Sequence, residues 1–195
     1  MDHAWLQSER GSYSPEIVIP FTRDPAYITQ KASFAPCAYQ PIQFDERWKL
    51  PASEWLYFKF YLESEGENQF LLQHLAPVAE YLRQQEKIEL WFFVRYKDPQ
   101  SHLRFRIKIY SLESLSDVMF LFQDMAKKWM ERHLIHHLTL ASYEREVERY
   151  GGPNLIDTAE ALFCADAMAS TFLLHAFINH QLNCQEIVFQ ALSII

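Results

Sequence analysis

The most informative stretch of the sequence alternates strictly between cationic and apolar side chains. It has His102, Arg104, Arg106 and Lys108 at every second position, with apolar residues between them. Successive side chains of a β-strand point to opposite faces of a sheet, so these four residues share one face if the segment is a strand. Guanidinium groups bind carboxylates and phosphates through paired hydrogen bonds. The pattern therefore indicates an anion-binding site on a sheet.

Two neighbouring segments are expected to add cations to this face. Segment 55–62 alternates as well and places Lys59 opposite its apolar residues. In segment 90–97 either of two alternating sets can face outward: Leu90, Phe92, Val94 and Tyr96, or Trp91, Phe93, Arg95 and Lys97. We expect the set with the charges to face outward. One third of the 18 lysines and arginines then share a single face: Lys59, Arg95, Lys97, Arg104, Arg106 and Lys108. The alternative is a solvated face with scattered charges.

The histidines suggest one candidate base and no metal site. His102 stands at the end of the cationic row and is a candidate general base; alternatively, it only packs and forms hydrogen bonds. His133, His136 and His137 lie close together, but no cysteine or carboxylate completes a recognisable zinc spacing. We interpret them as basic residues near a helix C-terminus, where the helix dipole favours them. We expect neither a metal nor an organic cofactor.

Composition excludes several classes of protein. Four glycines are too few and too far apart for a Walker loop or a Rossmann fingerprint. The net charge of −7 argues against broad nucleic-acid binding, although aromatic residues among cations do resemble single-strand binders. The three cysteines are widely spaced and are expected to be free thiols. With no signal peptide and no apolar run near ~20 residues, the sequence predicts a cytoplasmic protein without a membrane span.

Hydrophobic periodicity predicts the elements that position these residues. Strands are expected near 55–62, 90–97, 102–109 and 138–143, and helices near 68–85, 114–133 and 157–183. Pro77 is expected to kink or split the first helix. The order β-α-β-β-α-β followed by a helix is that of a ferredoxin-like α+β fold, an antiparallel sheet with helices on one face. Residues 1–50, with five prolines and one short strand near 16–19, are predicted to form an arm before a domain at 51–195.

This fold leads to a prediction about the two strand arginines. Arg104 and Arg106 should point to the same side of the sheet, the side without helices. Alanine at either position would then remove no core contact, and we expect it to cost less than ~1 kcal/mol of stability.

Four motifs, in the same order, resemble the lantibiotic dehydratase C-terminal family, which also occurs in thiopeptide-type bacteriocin biosynthesis. The first motif, segment 55–61, reads WLYFKFY. The second consists of WFFVRYKDP at 91–99 followed by HLRFR at 102–106. Segment 143–152 reads YEREVERYGG, and segment 163–167 reads FCADA. Together they extend from residue 55 to residue 167, which makes the resemblance specific.

The resemblance implies a reaction. In nisin-type members one domain glutamylates serine or threonine, and this C-terminal domain eliminates the glutamate, which leaves a dehydroamino acid. Arg104 and Arg106 match two strand arginines of the family's elimination site, and Glu146 and Arg149 match its acidic-x-x-arginine pair. Glu146 is a candidate base or an ion-pair partner. The implied partners are a precursor peptide and a separately encoded glutamylating subunit, with homo-oligomerisation possible.

The sequence departs from the family in its length. It ends at Ile195, before the family's late His-Met-x-x-Asn-Arg-like motif, and it has no glutamylating domain. We therefore expect a split, stand-alone or truncated member. A related alternative is a pyridine-forming cycloaddition enzyme on the same fold, and the alternative from another class is a non-catalytic module that binds the precursor peptide or a dehydratase.

Overall fold

The computed structural model describes residues 41–179 in full, together with the backbone of two short strands, β1 (Leu6–Ser8) and β2 (Gly11–Tyr13). Strands β1 and β2 pair antiparallel. The chain divides into two compact units, Met1–Gln40 and Pro41–Ile195. Residues 41–50, which the sequence assigns to the arm, thus belong to the second unit. The strand predicted near 16–19 lies outside the described residues.

The second unit contains both helices and strands. Its elements are α1 (Phe44–Arg47), β3 (Trp48–Lys49), β4 (Trp55–Tyr61), α2 (Glu67–Phe70), α3 (Ala76–Gln84), β5 (Ile88–Lys97), β6 (Ser101–Ile109), α4 (Leu115–Glu131), β7 (His137–Ala141), β8 (Tyr143–Glu144) and α5 (Ile156–Ile178). Short 3-10 turns, Ser64–Gly66 and Leu112–Ser114, precede α2 and α4. A π-helical turn, Leu71–Leu75, joins α2 to α3 and ends two residues before Pro77, so the predicted interruption of this helix is confirmed.

Four strands form the main sheet in the order β5-β6-β4-β7, and every neighbouring pair is antiparallel. The register places Lys59 of β4 beside Arg104 of β6 on one side and beside Thr139 of β7 on the other. A second, two-stranded sheet pairs β3 with β8. Helices combined with antiparallel sheets confirm the predicted α+β class.

The hydrophobic core lies between the helices and one face of the sheet. Phe58 stacks on Phe122 of α4 with ring centroids 4.8 Å apart, and Phe60 contacts Phe70 of α2 at 5.6 Å. Phe105 of the central strand β6 is fully buried in the same layer. Because apolar residues alternate with polar ones along β4 and β6, burying these rings turns the arginines to the opposite face.

Strand β5 is oriented against expectation. Its register with β6 shifts between Ile88 and Leu90, and from there Phe92, Val94 and Tyr96 pair with the residues of the arginine side. The prediction that Arg95 and Lys97 share a face with Arg104 is therefore wrong. Trp91 is also on the helix side, fully buried, where its indole Nε1–H donates a 3.1 Å hydrogen bond to Glu80. The bulge adds one residue to β5 and so exchanges its two faces.

Helix α5 is more apolar than the sequence analysis recognises. By length and composition alone Ile156–Ile178 could cross a membrane, with a mean hydropathy of 1.6 over its most apolar window, of which 28% is buried. The sequence analysis did not single out this helix, because Glu160 and Asp166 interrupt its apolar residues. Phe163 packs on Phe92 at 5.3 Å, so this helix touches the arginine side of β5 and that side is not wholly helix-free.

Candidate functional site

The candidate site lies on the sheet face away from α2, α3 and α4, which we call the arginine face. It carries Lys59 from β4 and Arg104 and Arg106 from β6. Arg104 and Arg106 share this face because they are two residues apart on a regular strand, as predicted. Lys108 lies on the same face, but its ammonium group forms a 3.0 Å ion pair with Glu89, in the bulge of β5. Of the six cations predicted for this face, Arg95 and Lys97 lie on the other face and Lys108 is ion-paired. The other three have no ion pair with a described carboxylate.

Arg106 lies inside a cage of aromatic rings. Its guanidinium carbon is 4.3 Å from the ring centroid of Tyr57, 4.7 Å from that of Tyr143 and 5.4 Å from that of Phe92. Burial lowers the pKa of Arg106, although the neighbouring tyrosines oppose that shift. The expectation that Arg106 touches no packed side chain is therefore wrong. The rings hold the cation by its charge, without a carboxylate.

The ring contacts of Arg106 leave one of its buried donors without a hydrogen bond. Its Nε–H is buried and has no hydrogen-bond partner among the described residues. Buried polar groups in native proteins are nearly always paired, so an orphaned donor at this position calls for an explanation. A bound molecule could supply the missing acceptor for this Nε–H when it binds to the guanidinium group.

Arg104 is held by a histidine and a tyrosine. Its guanidinium lies 3.4 Å from the ring centroid of Tyr96, and its Nε–H donates to Nε2 of His102 at 3.2 Å. The other ring nitrogen of His102 lies 2.9 Å from the carbonyl oxygen of Gln100, which only accepts. His102 is therefore neutral in this arrangement, with its proton on Nδ1 and its lone pair directed to Arg104. It is also buried, stacked on Tyr61 at 4.8 Å.

The three cations of the arginine face share one sheet face without acidic partners, although Arg95, Lys97, Lys127 and Arg132 elsewhere in residues 41–179 also form no ion pair. Within residues 41–179, Lys59, Arg104 and Arg106 form no ion pair, whereas Arg83 and Arg149 each have one. In a chain with a net charge of −7, partners would be easy to provide. Three unneutralised cations on one rigid face can hold an anionic group of a ligand.

The segment after β7 carries the other two predicted site residues. Glu146 and Arg149 form a 2.7 Å ion pair, and both side chains are exposed. The charge of Glu146 acts on Arg106, as a minor influence on the pKa of that arginine. Arg149 has no contact with Arg104 or Arg106 among the described residues. The structure thus brings His102, Arg104 and Arg106 together and leaves the Glu146–Arg149 pair at the margin.

The sequence analysis missed the buried cluster that fixes this segment. Arg145 donates to Glu160 of α5 from Nε at 2.8 Å and from a terminal nitrogen at 2.6 Å, and it also pairs with Asp157. Tyr143 donates to Glu160 at 3.0 Å. Burial opposes ionisation of Arg145, but its bonds to Glu160 and Asp157 raise the pKa overall. The only signal in the sequence is that Tyr143, Arg145 and Val147 alternate with three glutamates.

The histidines near the end of α4 have separate neighbours. His136 Nε2 lies 3.1 Å from a carboxylate oxygen of Glu63, and His137 packs on Tyr61 at 5.4 Å. In the described part of the chain, no three His, Cys, Asp or Glu side chains form a group that could hold a metal ion. Cys164 is buried with a free thiol, and burial raises the pKa of that thiol.

Comparison with known proteins gives relatives of one kind. The chain is 31% identical over 164 residues to the nisin biosynthesis protein NisB of Lactococcus lactis subsp. lactis, which covers 83% of this chain and 15% of NisB. It is 28% identical over 172 residues to the subtilin biosynthesis protein SpaB of Bacillus subtilis, which covers 84% of this chain and 16% of SpaB. The chain therefore spans about a sixth of the length of these curated relatives.

A solved structure and a family model agree with these relatives. The tRNA-dependent lantibiotic dehydratase MibB from Microbispora sp. 107891 superimposes with a TM-score of 0.61 at 27% identity, over 66% of this chain and 12% of MibB. The family model described as the C-terminal part of lantibiotic biosynthesis dehydratases matches residues 55–194, which include every strand of the main sheet and α5. The chain therefore belongs to the lantibiotic biosynthesis dehydratase C-terminal family.

Proposed function

We propose that the arginine face is the site of a glutamate elimination, in which a glutamylated serine or threonine of a precursor peptide becomes dehydroalanine or dehydrobutyrine. The observation that carries this proposal is the set of three cations without a described acidic partner, Lys59, Arg104 and Arg106. The leaving group is a carboxylate with a second carboxylate of its own, so it needs cations that are not already neutralised. Family membership gives the reaction class.

The chemistry assigns each side chain a task. A base removes the α-proton of the modified residue, the Cβ–O bond breaks, and glutamate leaves with the electron pair of that bond as its carboxylate. Arg104 and Arg106 hold the departing carboxylate, and their charge also stabilises the enolate that develops when the proton leaves. Lys59, beside Arg104 on the next strand, binds the second carboxylate.

We assign the base to Glu146 and a positioning role to His102. His102 directs its lone pair to Arg104, so it orients that guanidinium instead of taking a proton. Glu146 is exposed, and its only described side-chain partner is Arg149. When the peptide approaches, Arg149 can donate hydrogen bonds to the peptide's carbonyl groups. It then releases Glu146, which can accept the proton. Neither step needs a metal or an organic cofactor.

We further propose that the second unit is a ferredoxin-like βαββαβ domain. The strand order β5-β6-β4-β7 and the two helical connections over one face support this assignment. The domain would work in the cytoplasm with a separately encoded glutamylating subunit, alone or as a homo-oligomer.

The test is elimination from a peptide that already carries glutamate on one serine. Full-length protein, supplied with the glutamylating partner where one is encoded, should release glutamate and leave a dehydroalanine that mass spectrometry detects. Arg104→Ala and Arg106→Ala should each slow this by roughly 10²-fold or more, because each removes a preorganised charge contact. Lys108→Ala is the matched control: it has the same face and strand, but Glu89 already neutralises it.

A second function has an observation in its favour. Both ring nitrogens of His102 are occupied and Glu146 is ion-paired, so the site as it stands has no unoccupied base among the described residues. A non-catalytic module that holds a glutamylated peptide for another subunit fits that state. Glutamate that stays on the peptide with wild-type protein, together with tight binding that Arg104→Ala abolishes, would favour this module over the enzyme.

A further inference from the structure

Tyr57 of β4 lies between two cations of the arginine face. The centroid of its ring is 4.3 Å from the guanidinium carbon of Arg106 and 5.5 Å from Nζ of Lys59. In the register of the sheet Tyr57 pairs with Arg106 itself, and it precedes Lys59 by two residues on the same face. The tyrosine therefore adjoins any anion that these cations hold.

The ring of Tyr57 is packed, whereas its hydroxyl group lacks a partner among the described residues. Only 6% of the residue is exposed, and its ring also meets that of Tyr143 edge to face at 6.3 Å. Within residues 41–179 the enclosed polar side-chain atoms without a hydrogen bond are Asn68 Oδ1 and Arg106 Nε, so the unpaired phenol oxygen belongs to the exposed part of Tyr57. A fixed ring that presents an unpaired donor to the open face is a preorganised hydrogen-bonding group.

The phenol of Tyr57 keeps its proton at neutral pH. Burial raises the pKa of Tyr57, and the charges of Arg106 and Arg104, which act in the opposite direction, do not cancel that shift. Both guanidinium groups are thus close enough to act on the phenol, which nevertheless stays neutral. Tyr57 can therefore donate a hydrogen bond, but it is not a base.

We propose that Tyr57 is a further catalytic residue, whose hydroxyl donates a hydrogen bond to the ester carbonyl oxygen of the glutamyl group that Arg104 and Arg106 hold. This inference rests on the proposed function for the identity of the ligand. As the Cβ–O bond breaks, its electron pair goes to the departing carboxylate, and both carboxyl oxygens share the negative charge. The phenol keeps its proton throughout, and its hydrogen bond strengthens as that charge grows. Tyr57 thus stabilises the transition state more than the bound peptide.

Tyr57→Phe tests the hydroxyl alone, because the ring that contacts Arg106 remains. With the ester peptide of the elimination assay, kcat should fall at least about tenfold, the loss expected of one hydrogen bond to a charged acceptor. A glutamylated peptide probe that cannot react measures the ground state: a labelled nine-residue peptide whose central residue carries glutamate through an amide. This probe should bind Tyr57→Phe only about threefold more weakly, since an amide oxygen is a neutral acceptor.

Tyr81→Phe is the matched control. It removes a hydroxyl from a tyrosine of α3 that is 57% exposed on the other side of the sheet, so elimination and probe binding should be those of wild type. Thermal melts establish that both variants fold. Elimination by Tyr57→Phe at the wild-type rate, or equal losses in the two variants, would overturn the inference.

A fluorinated tyrosine at position 57 separates hydrogen-bond donation from packing. Fluorine makes the phenol more acidic, and a phenolate has no proton to donate. Because burial holds the pKa of Tyr57 above its ordinary value, wild type should lose no activity through this group near neutral pH. With 3,5-difluorotyrosine, the alkaline decline of kcat should begin at a lower pH than in wild type. Superimposable pH profiles would mean that the hydroxyl does not donate in the reaction.

The inference and the proposed function fail separately. If wild-type protein eliminates glutamate and Tyr57→Phe does so equally fast, Tyr57 has no catalytic role and the proposed function stands. If wild type eliminates no glutamate, but Tyr57→Phe binds the probe more weakly than wild type and Tyr81→Phe do, the hydrogen bond to the ligand stands and the enzyme proposal is wrong.

Discussion

Arg104 and Arg106 are two residues apart on β6, but their surroundings give them different energetic roles. Arg106 is surrounded by three aromatic rings, while Arg104 faces one ring and His102. Removing a cation that lies among three rings costs more than removing one that faces a single ring. We expect Arg106→Ala to lower the free energy of unfolding by about 2 kcal/mol and Arg104→Ala by less than about 1 kcal/mol.

Chemical denaturation of the two variants measures this difference. Both should slow elimination, so the comparison separates the structural part of each residue from its chemical part. Arg106→Lys is a useful third variant, because it keeps the charge but loses the planar group that lies against the rings. Equal stabilities for the two alanine variants would mean that the cage contributes nothing.

The sequence correctly predicts the sheet face of Arg104 and Arg106, but not that of Arg95 on the neighbouring strand. Strict alternation is sufficient to place Arg104 and Arg106 together, since β6 has no irregularity in its pairing with β4. Arg95 could not be placed in the same way. Both faces of segment 91–93 are aromatic, and one extra residue in the bulge decides which face is buried.

The segment that follows β7 depends on α5. Glu160 is fully buried and bonds to both Arg145 and Tyr143, and Tyr143 is one wall of the Arg106 cage. Breaking a buried ion pair leaves an uncompensated charge in the interior, so we expect Glu160→Ala to cost about 3–5 kcal/mol. Asp157→Ala removes the other carboxylate that pairs with Arg145, but Asp157 is 72% exposed and should cost less than about 1 kcal/mol.

Urea unfolding of these two variants provides the measurement. Each variant removes one carboxylate that pairs with Arg145, which is buried in one case and exposed in the other. A cost for Asp157→Ala as large as that for Glu160→Ala would show that Arg145 is not held from the inside. Glu160→Gln adds a readout of position: if Glu160 holds Tyr143 against Arg106, this variant should slow elimination even under conditions where it stays folded.

Most elements follow from periodicity, and the exceptions share a cause. The four strands and three long helical regions agree with the structure to within a few residues. Strands β3 and β8 are too short to show a period of two, and only their pairing reveals them. Likewise Glu160 looks like an ordinary polar residue of α5, because the buried arginine that requires it lies 15 positions away.

The molecule as a whole is acidic, and the arginine face carries only three cations that no described carboxylate neutralises. A net charge of −7 repels polyanions, whereas three cations are too few to release the counterions that drive nucleic-acid binding. We therefore expect no measurable binding of tRNA at about 150 mM salt, although MibB is described as tRNA-dependent. Fluorescence anisotropy with labelled tRNA gives the measurement, and the glutamylated peptide probe is the positive control. Binding that weakens steeply with salt and disappears in Arg104→Ala would contradict this expectation.

The relatives place this unit within much longer proteins. The chain covers 15% of NisB and 12% of MibB, so in those proteins the same fold is joined to most of the polypeptide. The sequence pattern does not distinguish the surfaces that contact the rest of such a protein. An apolar residue on a helix gives the same periodicity whether it faces a hydrophobic core or another domain. Phe172 of α5 illustrates this point, since it is 73% exposed despite lying in an apolar helix.

The alternation between positions 143 and 148 has a consequence for how such a protein can change over time. Tyr143, Arg145 and Val147 are buried, so random replacements there would be purged through loss of folding. The glutamates at 144, 146 and 148 point outward and bear little of that burden. Within this short segment, substitutions at the buried positions affect folding, and substitutions at the exposed positions affect the surface. Substitutions at 144 and 148 can therefore change the surface with little effect on folding, whereas Glu146 is restricted by its proposed task as the base and the inward positions are restricted by the fold.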